Sequence, residues 1–274
     1  MGIVNVTPDS FWEGSRFSAD NVAVAAVRMA EDGADIIDIG GESTRPGSRY
    51  VSVDEEILRV IPAVKRIREK SGVPISVDTR KKAVMEAAWN AGADILNDVS
   101  ALEDDAEMAD FVFRRKIPVI LMHKRGTPAV MQQNTAYNDV IAQVERYLWK
   151  RIEYALGCGI DREKIILDPG IGFGKGPAEN AVLIRGCGAL CGGEFPVLLA
   201  LSRKTCIAEM IGGTEKCGEI SRPGNRLAGT IAANILAVRW SAAREGMILR
   251  VHDVRETVEA LKVLTYLGGI RGGT

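Results

Sequence analysis

The chain has 274 residues, 46% of them hydrophobic, enough for one large domain with a sizeable core or two small ones. Its 35 basic residues face 36 acidic ones, a formal net charge of -1, which argues against nucleic-acid binding driven by bulk charge but leaves room for a local basic pocket. No apolar run approaches the roughly 20 residues of a membrane span, and Asn5 and Asp9 break up the start where a signal peptide would need an unbroken apolar stretch.

MGIVNV reads as a first strand ending at Asn5, followed by a long loop through Asp9, Phe11 and Trp12. Ser18 or Asp20 can cap a helix with Val22, Ala25, Ala26 and Met29 on its apolar face. The second strand carries Ile36, Ile37 and Ile39 as β-branched bulk and breaks at Gly40-Gly41. It then releases Glu42, Ser43, Thr44 and Arg45 before Pro46-Gly47, which cannot continue a strand or helix. Ser52 or Asp54 caps the next helix, where Ile57, Leu58, Ile61, Val64 and Ile67 keep a helical period.

VPISVD is the third strand, with a helix from Lys81 to Ala91; ADILNDV is the fourth, with a helix from Asp105 to Arg115. IPVILMH is the fifth, and the loop KRGTPAVMQQ leads to a long helix from Asn138 to Leu156. KIILDPG is the sixth, with a glycine-rich loop and a helix from Glu179 to Leu190. FPVLLALS is the seventh, with helices at Cys206 to Ile211 and Leu227 to Ala243; MILRVH is the eighth, with a last helix from Val254 to Tyr266.

Those are eight strand-then-helix units with no linker between them. Their strands are near-continuous apolar runs, as expected when both faces of a parallel sheet are covered. The prediction is α/β: one (β/α)8 TIM barrel over residues 1–274, with its site at the C-terminal ends of the strands. Five cysteines are an odd number without zinc-type pairing. Cys187 and Cys191 suit a shared helix face or a metal, but with two histidines in the chain, free thiols in a reducing cytoplasm are the expectation.

The residues just after each apolar run are those a site at the barrel mouth would use. They are Asn5, Thr44, Arg45, Asp78, Asn97, Asp98, His123, Asp168, Ser202, Lys204, Arg250 and His252. Each has a structural reading beside the functional one. Asp78 reads equally as a helix cap, Asp168 as a turn former before Pro169, Lys204 as a solvated lysine and His123 as a packed strand-end histidine. Asp253 is assigned to capping the last helix. Arg250, His252 and Lys204 follow the last two strands, the end of a barrel that frequently carries a phosphate site. Asp78, Asn97 and Asp168 offer acceptors to a flat ligand with adjacent N–H donors, such as a 2-amino-pyrimidinone. Asn5, Asp9 and a diphosphate form a plausible oxygen set for Mg²⁺. The loop IGFGKG lacks the ending of a P-loop, and Phe173 within it reads either as core or as a lid over a ring.

The motifs NVTPDSF, DIGGESTRPGS, SVDT, NDV, LMH with GTP and MQ, DPGIGFGK, SRK and RVHDV occur in this order from Asn5 to Val254. With them the chain resembles the dihydropteroate synthases of folate biosynthesis, from Gly2 to about Leu264. The resemblance implies a transferase joining (7,8-dihydropterin-6-yl)methyl diphosphate to 4-aminobenzoate, two small-molecule partners. It implies that Asp78, Asn97, Asp168 and Lys204 hold the pterin, with Met122 among the substrate-binding residues. It implies that Asn5, Thr44, Arg250 and His252 handle the diphosphate, with Mg²⁺ near Asn5. Phe11, Arg45, Pro46, Phe173, Ser202 and Lys204 would then line the 4-aminobenzoate pocket, which sulfonamides would share. Asn5, Arg45, Lys204, Arg250 and His252 would be the catalytic set. It also implies a homodimer through the late helices.

Three features depart from the pattern. The first strand begins at once, where the family usually has preceding residues. Trp12 and Ser15 stand where small or acidic residues are commoner, and the stretch GTEKCGEISRPGN is longer than expected. A corrinoid-linked pterin methyltransferase would keep Asp78, Asn97 and Asp168 but has no need of SRK, RVHDV or the STRP loop. A Schiff-base aldolase built on Lys204 and a catalytically idle homologue are the other readings, and no motif residue is lost to support the latter.

Overall fold

Eight short strands carry the apolar runs: β1 (Gly2–Asn5), β2 (Ile37–Gly40), β3 (Ile75–Asp78), β4 (Ile95–Asp98), β5 (Val119–Met122), β6 (Ile165–Asp168), β7 (Val197–Leu199) and β8 (Met247–Leu249). The computed structural model describes residues 1–6, 19–43, 48–126, 135–212, 226–241 and 245–268. The strands form one sheet in sequence order, and every neighbouring pair is parallel. A parallel bridge from Gly2 to Val251 closes the sheet on itself: Ile3 N–H donates to the Val251 carbonyl at 2.9 Å, and Val251 N–H to the Met1 carbonyl at 2.9 Å. The predicted TIM barrel is therefore the fold.

Successive side chains of a strand face opposite sides. Here that alternation divides the core in two. Ile37, Ile39, Val77, Leu96, Leu121 and Leu167 face outward and pack under the helices against residues such as Val60, Ile67, Met85 and Leu148. The other parity fills the barrel: Met1, Ile95, Ile120, Leu198 and Ala200, with Ile36, Ile166 and Ile248 against them. Burying each large aliphatic side chain stabilises the fold by about 1.5–3 kcal/mol relative to leaving it exposed.

The helices are α1 (Ala19–Glu31), α2 (Val53–Lys70), α3 (Lys82–Asn90), α4 (Met108–Arg115), α5 (Val140–Gly157), α6 (Pro177–Gly186), α7 (Thr205–Gly212), α8 (Leu227–Trp240) and α9 (Val254–Tyr266). Ser52 caps α2, its Oγ accepting from Glu55 N–H at 3.2 Å. Asp20 lies inside the first turn of α1 rather than at its cap. α4 begins at Met108, later than expected, and Asp105 lies ahead of it, its carboxylate accepting from Glu107 N–H at 3.1 Å and from Lys82 N–H at the start of α3 at 2.8 Å.

Cys187 and Cys191 do not share a helix face. α6 stops at Gly186, and a 3-10 segment, Cys187–Gly193, follows, with Cys191 in the left-handed region at φ 50°. Among the described residues no cluster of three or more His, Cys, Asp or Glu could hold a metal, and no helix is long and apolar enough to cross a membrane.

Candidate active site

The residue two positions beyond an inward-facing aliphatic faces inward too. Thus Ile36 is followed by Asp38, Ile95 by Asn97, Ile120 by Met122, Ile166 by Asp168, and Ile248 by Arg250 and His252, while Asp78 shares the inward parity of the buried Ser76. An apolar filling therefore gives way to a polar layer at the C-terminal rim, where β1 also ends at Asn5. Asp38, Asp78, Asn97, Met122, Asp168 and Ser202 are all buried, while Asn5, Phe173, Lys204, Arg250 and His252 are half-buried.

Arg250 ties the layer together. Its Nε donates to Asp38 Oδ2 at 2.6 Å and its Nη2 to Asp78 Oδ2 at 2.8 Å. Asn97 Nδ2 reaches both oxygens of Asp38, at 3.3 and 3.4 Å. Burial pushes the Asp78 carboxyl from 3.8 up to about 7; Arg250 opposes that rise and Asp38 adds to it. Burial also works against the charge on Arg250, but Asp38 and Asp78 outweigh it and hold the guanidinium above its ordinary value. One cation shared by two buried acids leaves the layer short of positive charge, which suits a ligand that brings N–H donors or a developing cation.

On the other side of the rim, Asp168 Oδ1 accepts from Gly170 N–H at 2.7 Å. Burial raises the Asp168 carboxyl, with Lys204 holding it back; burial lowers Lys204, with Asp168 holding that back. Lys204 Nζ donates to the Ile171 carbonyl at 2.7 Å and lies 4.9 Å from the centre of the Phe173 ring. Ser202 Oγ accepts from His252 N–H at 3.1 Å and lies 3.0 Å from His252 Nδ1. The structure thus brings together two residues, Ser202 and His252, that the resemblance sends to different substrates.

The sequence pattern of the pterin binding enzymes matches residues 1–252. The chain belongs to this family. It is 41% identical to the dihydropteroate synthase of Escherichia coli K12 over 268 residues, which are 96% of this chain and 89% of that one. Among solved structures, the Xanthomonas albilineans dihydropteroate synthase with 4-aminobenzoic acid matches with a TM-score of 0.87 and 43% identity, covering 98% of this chain and 93% of that one. The same enzyme in complex with 7,8-dihydropteroate matches with a TM-score of 0.84 and 41% identity, over the same shares.

Several family-motif residues are placed differently from the expectation. Asp78 does not cap α3: the cap position is Lys81, with no side-chain cap bond. Asp253 precedes α9, but its side chain makes no cap bond; it accepts from Arg203 Nε at 3.0 Å and from Arg203 Nη2. Asp98 has the outward parity and accepts from Ser100 N–H at 2.7 Å and Leu102 N–H at 2.8 Å, which shapes the loop after β4. His123, one residue past the inward-facing Met122, turns out of the layer and meets Lys175. Arg250, expected at the diphosphate, is engaged by two acids. Asp38 was missed as a site residue, though its parity with Ile36 marks it. Phe11, Thr44, Arg45 and Pro46 lie outside the described residues.

Proposed function

We infer that the chain is a dihydropteroate synthase: it joins (7,8-dihydropterin-6-yl)methyl diphosphate to 4-aminobenzoate, giving 7,8-dihydropteroate and diphosphate for folate biosynthesis. The observation that carries this reading is the Asp38–Arg250–Asp78 layer with Asn97 and Asp168 at one rim of the barrel, in a chain 41% identical to a dihydropteroate synthase along nearly its whole length.

In this reading Asp78 and Asp168 accept the N–H donors of the pterin, Asn97 and Lys204 complete its edge, and Met122 packs on it. Charge-assisted bonds of this kind are roughly twice as strong as neutral ones. As Asp78 turns to the pterin, its hold on Arg250 weakens, and the guanidinium becomes available to the diphosphate together with His252 and Thr44. The C–O bond to the diphosphate breaks early, and positive charge grows on the methylene carbon while the acid layer stabilises it. The amine of 4-aminobenzoate, held among Phe11, Arg45, Pro46, Phe173, Ser202 and Lys204, attacks that carbon and then loses a proton. Removing one donor to the departing diphosphate should cost about 3 kcal/mol of transition-state stabilisation.

Mg²⁺ belongs to the proposal. Asn5 Oδ1 lies 3.7 Å from where a Cβ on Gly40 would stand, so the bare glycine leaves room beside that oxygen. Mg²⁺ keeps several waters and takes one or two protein oxygens plus phosphate oxygens, and a single amide oxygen at the mouth fits an ion held chiefly by the diphosphate. When bound it would neutralise charge on the leaving group. A homodimer is also proposed: Leu236, Trp240, Val263 and Tyr266 of α8 and α9 are exposed, and a groove between the two helices is lined by Leu227, Ile231 and Val263. The unpaired buried thiols of Cys187, Cys191 and Cys206 support a reducing, cytoplasmic setting.

The test is diphosphate release by the purified chain with both substrates and Mg²⁺. Release and dihydropteroate formation that require both substrates are expected, with sulfonamides competing against 4-aminobenzoate. Absence of product with both present overturns the reading.

A further inference from the structure

Lys175 is a buried amine that the proposed reaction does not use. It sits at the far end of the loop after β6, and its Nζ is enclosed by acceptors from two strands' ends. It lies 2.8 Å from His123 Nδ1 and donates to the carbonyls of Gly170 at 2.9 Å, Phe173 at 3.1 Å and His123 at 3.5 Å. Among the described residues those partners are an imidazole and three backbone carbonyls, with no carboxylate at hydrogen-bond distance. With Lys175 as the donor, Nδ1 accepts and the His123 ring carries its proton on Nε2. The ring itself is fixed by an edge contact with Tyr147, centres 5.0 Å apart.

The loop this ammonium gathers is the one that meets Lys204. It presents the Ile171 carbonyl, which accepts from Lys204 Nζ, and the Phe173 ring beside it. Two further observations show that its position is tightly specified. Gly170, at φ +66°, lies so close to β5 that a Cβ there would stand 1.8 Å from the His123 carbonyl oxygen. From the other side, Asn180 of α6 accepts from Gly172 N–H at 2.8 Å and donates to the Lys175 carbonyl at 3.1 Å.

We propose that Lys175, seated against His123, is a positioning residue: it acts as a buried hydrogen-bond donor that sets the loop carrying Ile171 and Phe173, and through them the placement of Lys204 beside the 4-aminobenzoate pocket. The proposal rests on the reading of the site as a dihydropteroate synthase. Burial lowers Lys175 to about 7 and, with Lys175 adding to the effect, lowers His123 to about 3, so the imidazole stays neutral and able to accept.

The test uses Lys175→Met, which keeps the side-chain length without a donor, and Lys175→Ala, which leaves a space. Because a misplacement of about 1 Å can cost up to a hundredfold, Lys175→Met should raise KM for 4-aminobenzoate about tenfold while kcat changes about threefold at most. Ethylammonium should restore much of the loss in Lys175→Ala and leave the wild type unchanged. A purely structural role would lower the melting temperature without splitting KM from kcat and would show no such rescue. If the lysine variants do not fold, His123→Phe, which keeps the ring contacts but removes one acceptor, should move KM in the same direction by a smaller factor. Wild-type KM in every folded variant, or equal losses in KM and kcat without rescue, overturns the proposal. A wild-type chain with no synthase activity would instead count against the reading it rests on.

Discussion

Arg250 donates to Asp38 at 2.6 Å across 212 residues of sequence, joining the last strand of the barrel to the second. It shares its charge with Asp78, so it holds the acid layer together. On the proposed reading Arg250→Ala should remove turnover. The structure adds a stability cost, since the substitution strands two buried carboxylates.

That cost should be about 3–5 kcal/mol at pH 8. It should shrink at pH 5.5, where the abandoned Asp78 carboxyl takes up a proton and loses its charge. Urea unfolding of the variant and wild type at the two pH values measures it. An equal cost at both would mean that Arg250 stabilises through packing alone.

Pterin affinity should fall with acidity in the free enzyme. Asp78, raised to about 7 by burial, must be ionised to accept the pterin's N–H groups. Below that point affinity should drop about tenfold per pH unit, the slope of a single required deprotonation. Titration calorimetry with a pterin between pH 5 and 8 reads the slope; Asp78→Asn should bind weakly and flatten it. The same group affects folding. Between about 4 and 7 the folded chain holds a proton that the unfolded chain releases, so this carboxyl's contribution to stability falls as pH rises through that window.

Lys204→Ala should behave differently from Arg250→Ala. Among the described residues its Nζ donates to one loop carbonyl and lies by one ring, with no carboxylate at hydrogen-bond distance, and Asp168, which loses a nearby charge, keeps its bond from Gly170 N–H. Turnover should fall by two orders of magnitude or so, about 3 kcal/mol, with unfolding free energy changed by less than about 1 kcal/mol. A large loss of stability would show that the lysine is part of the frame.

Another buried lysine, Lys81, lies outside the rim. Lys81 Nζ donates to Glu56 at 2.5 Å, to Glu42 at 2.9 Å and to the Val51 carbonyl at 2.8 Å, and Glu56 is fully buried. Val51 N–H in turn donates to Glu42 at 3.0 Å, which ties the two ends of the segment after β2. Lys81→Met should cost about 3–5 kcal/mol at neutral pH by stranding Glu56. Adding Glu56→Gln should recover part of it; a double variant no more stable than the single would show that the loss comes from the missing lysine contacts.

The strands and most helices were legible because their apolar runs are short, β-branched and evenly spaced, and α9 begins and ends where the periodicity placed it. The rim positions of Asn97 and Asp168 followed from ending each run at its first polar residue, and that of Asp78 from reading through Ser76 to the end of the strand. Asp38 escaped that rule because Ile39 follows it and the run appears to continue; strict alternation from Ile36 would have found it. Pairings were not legible. Nothing local to Arg250 says that its partners lie on β2 and β3, or that Asp253 prefers the Arg203 guanidinium to the amides of its own helix. Cys187 and Cys191 looked helical by spacing, but the glycines around them let the backbone turn left-handed.

The hydrocarbon filling below the rim has a consequence for selectivity. With Ile95, Ile120, Ile166 and Leu198 beneath, the buried carboxyls rest on hydrocarbon. A flat heterocycle that settles there must itself supply the N–H groups they bond. A ring of the right outline but lacking one N–H would leave an anion dry over an oily floor, so the barrel rejects impostors by what it withholds from them.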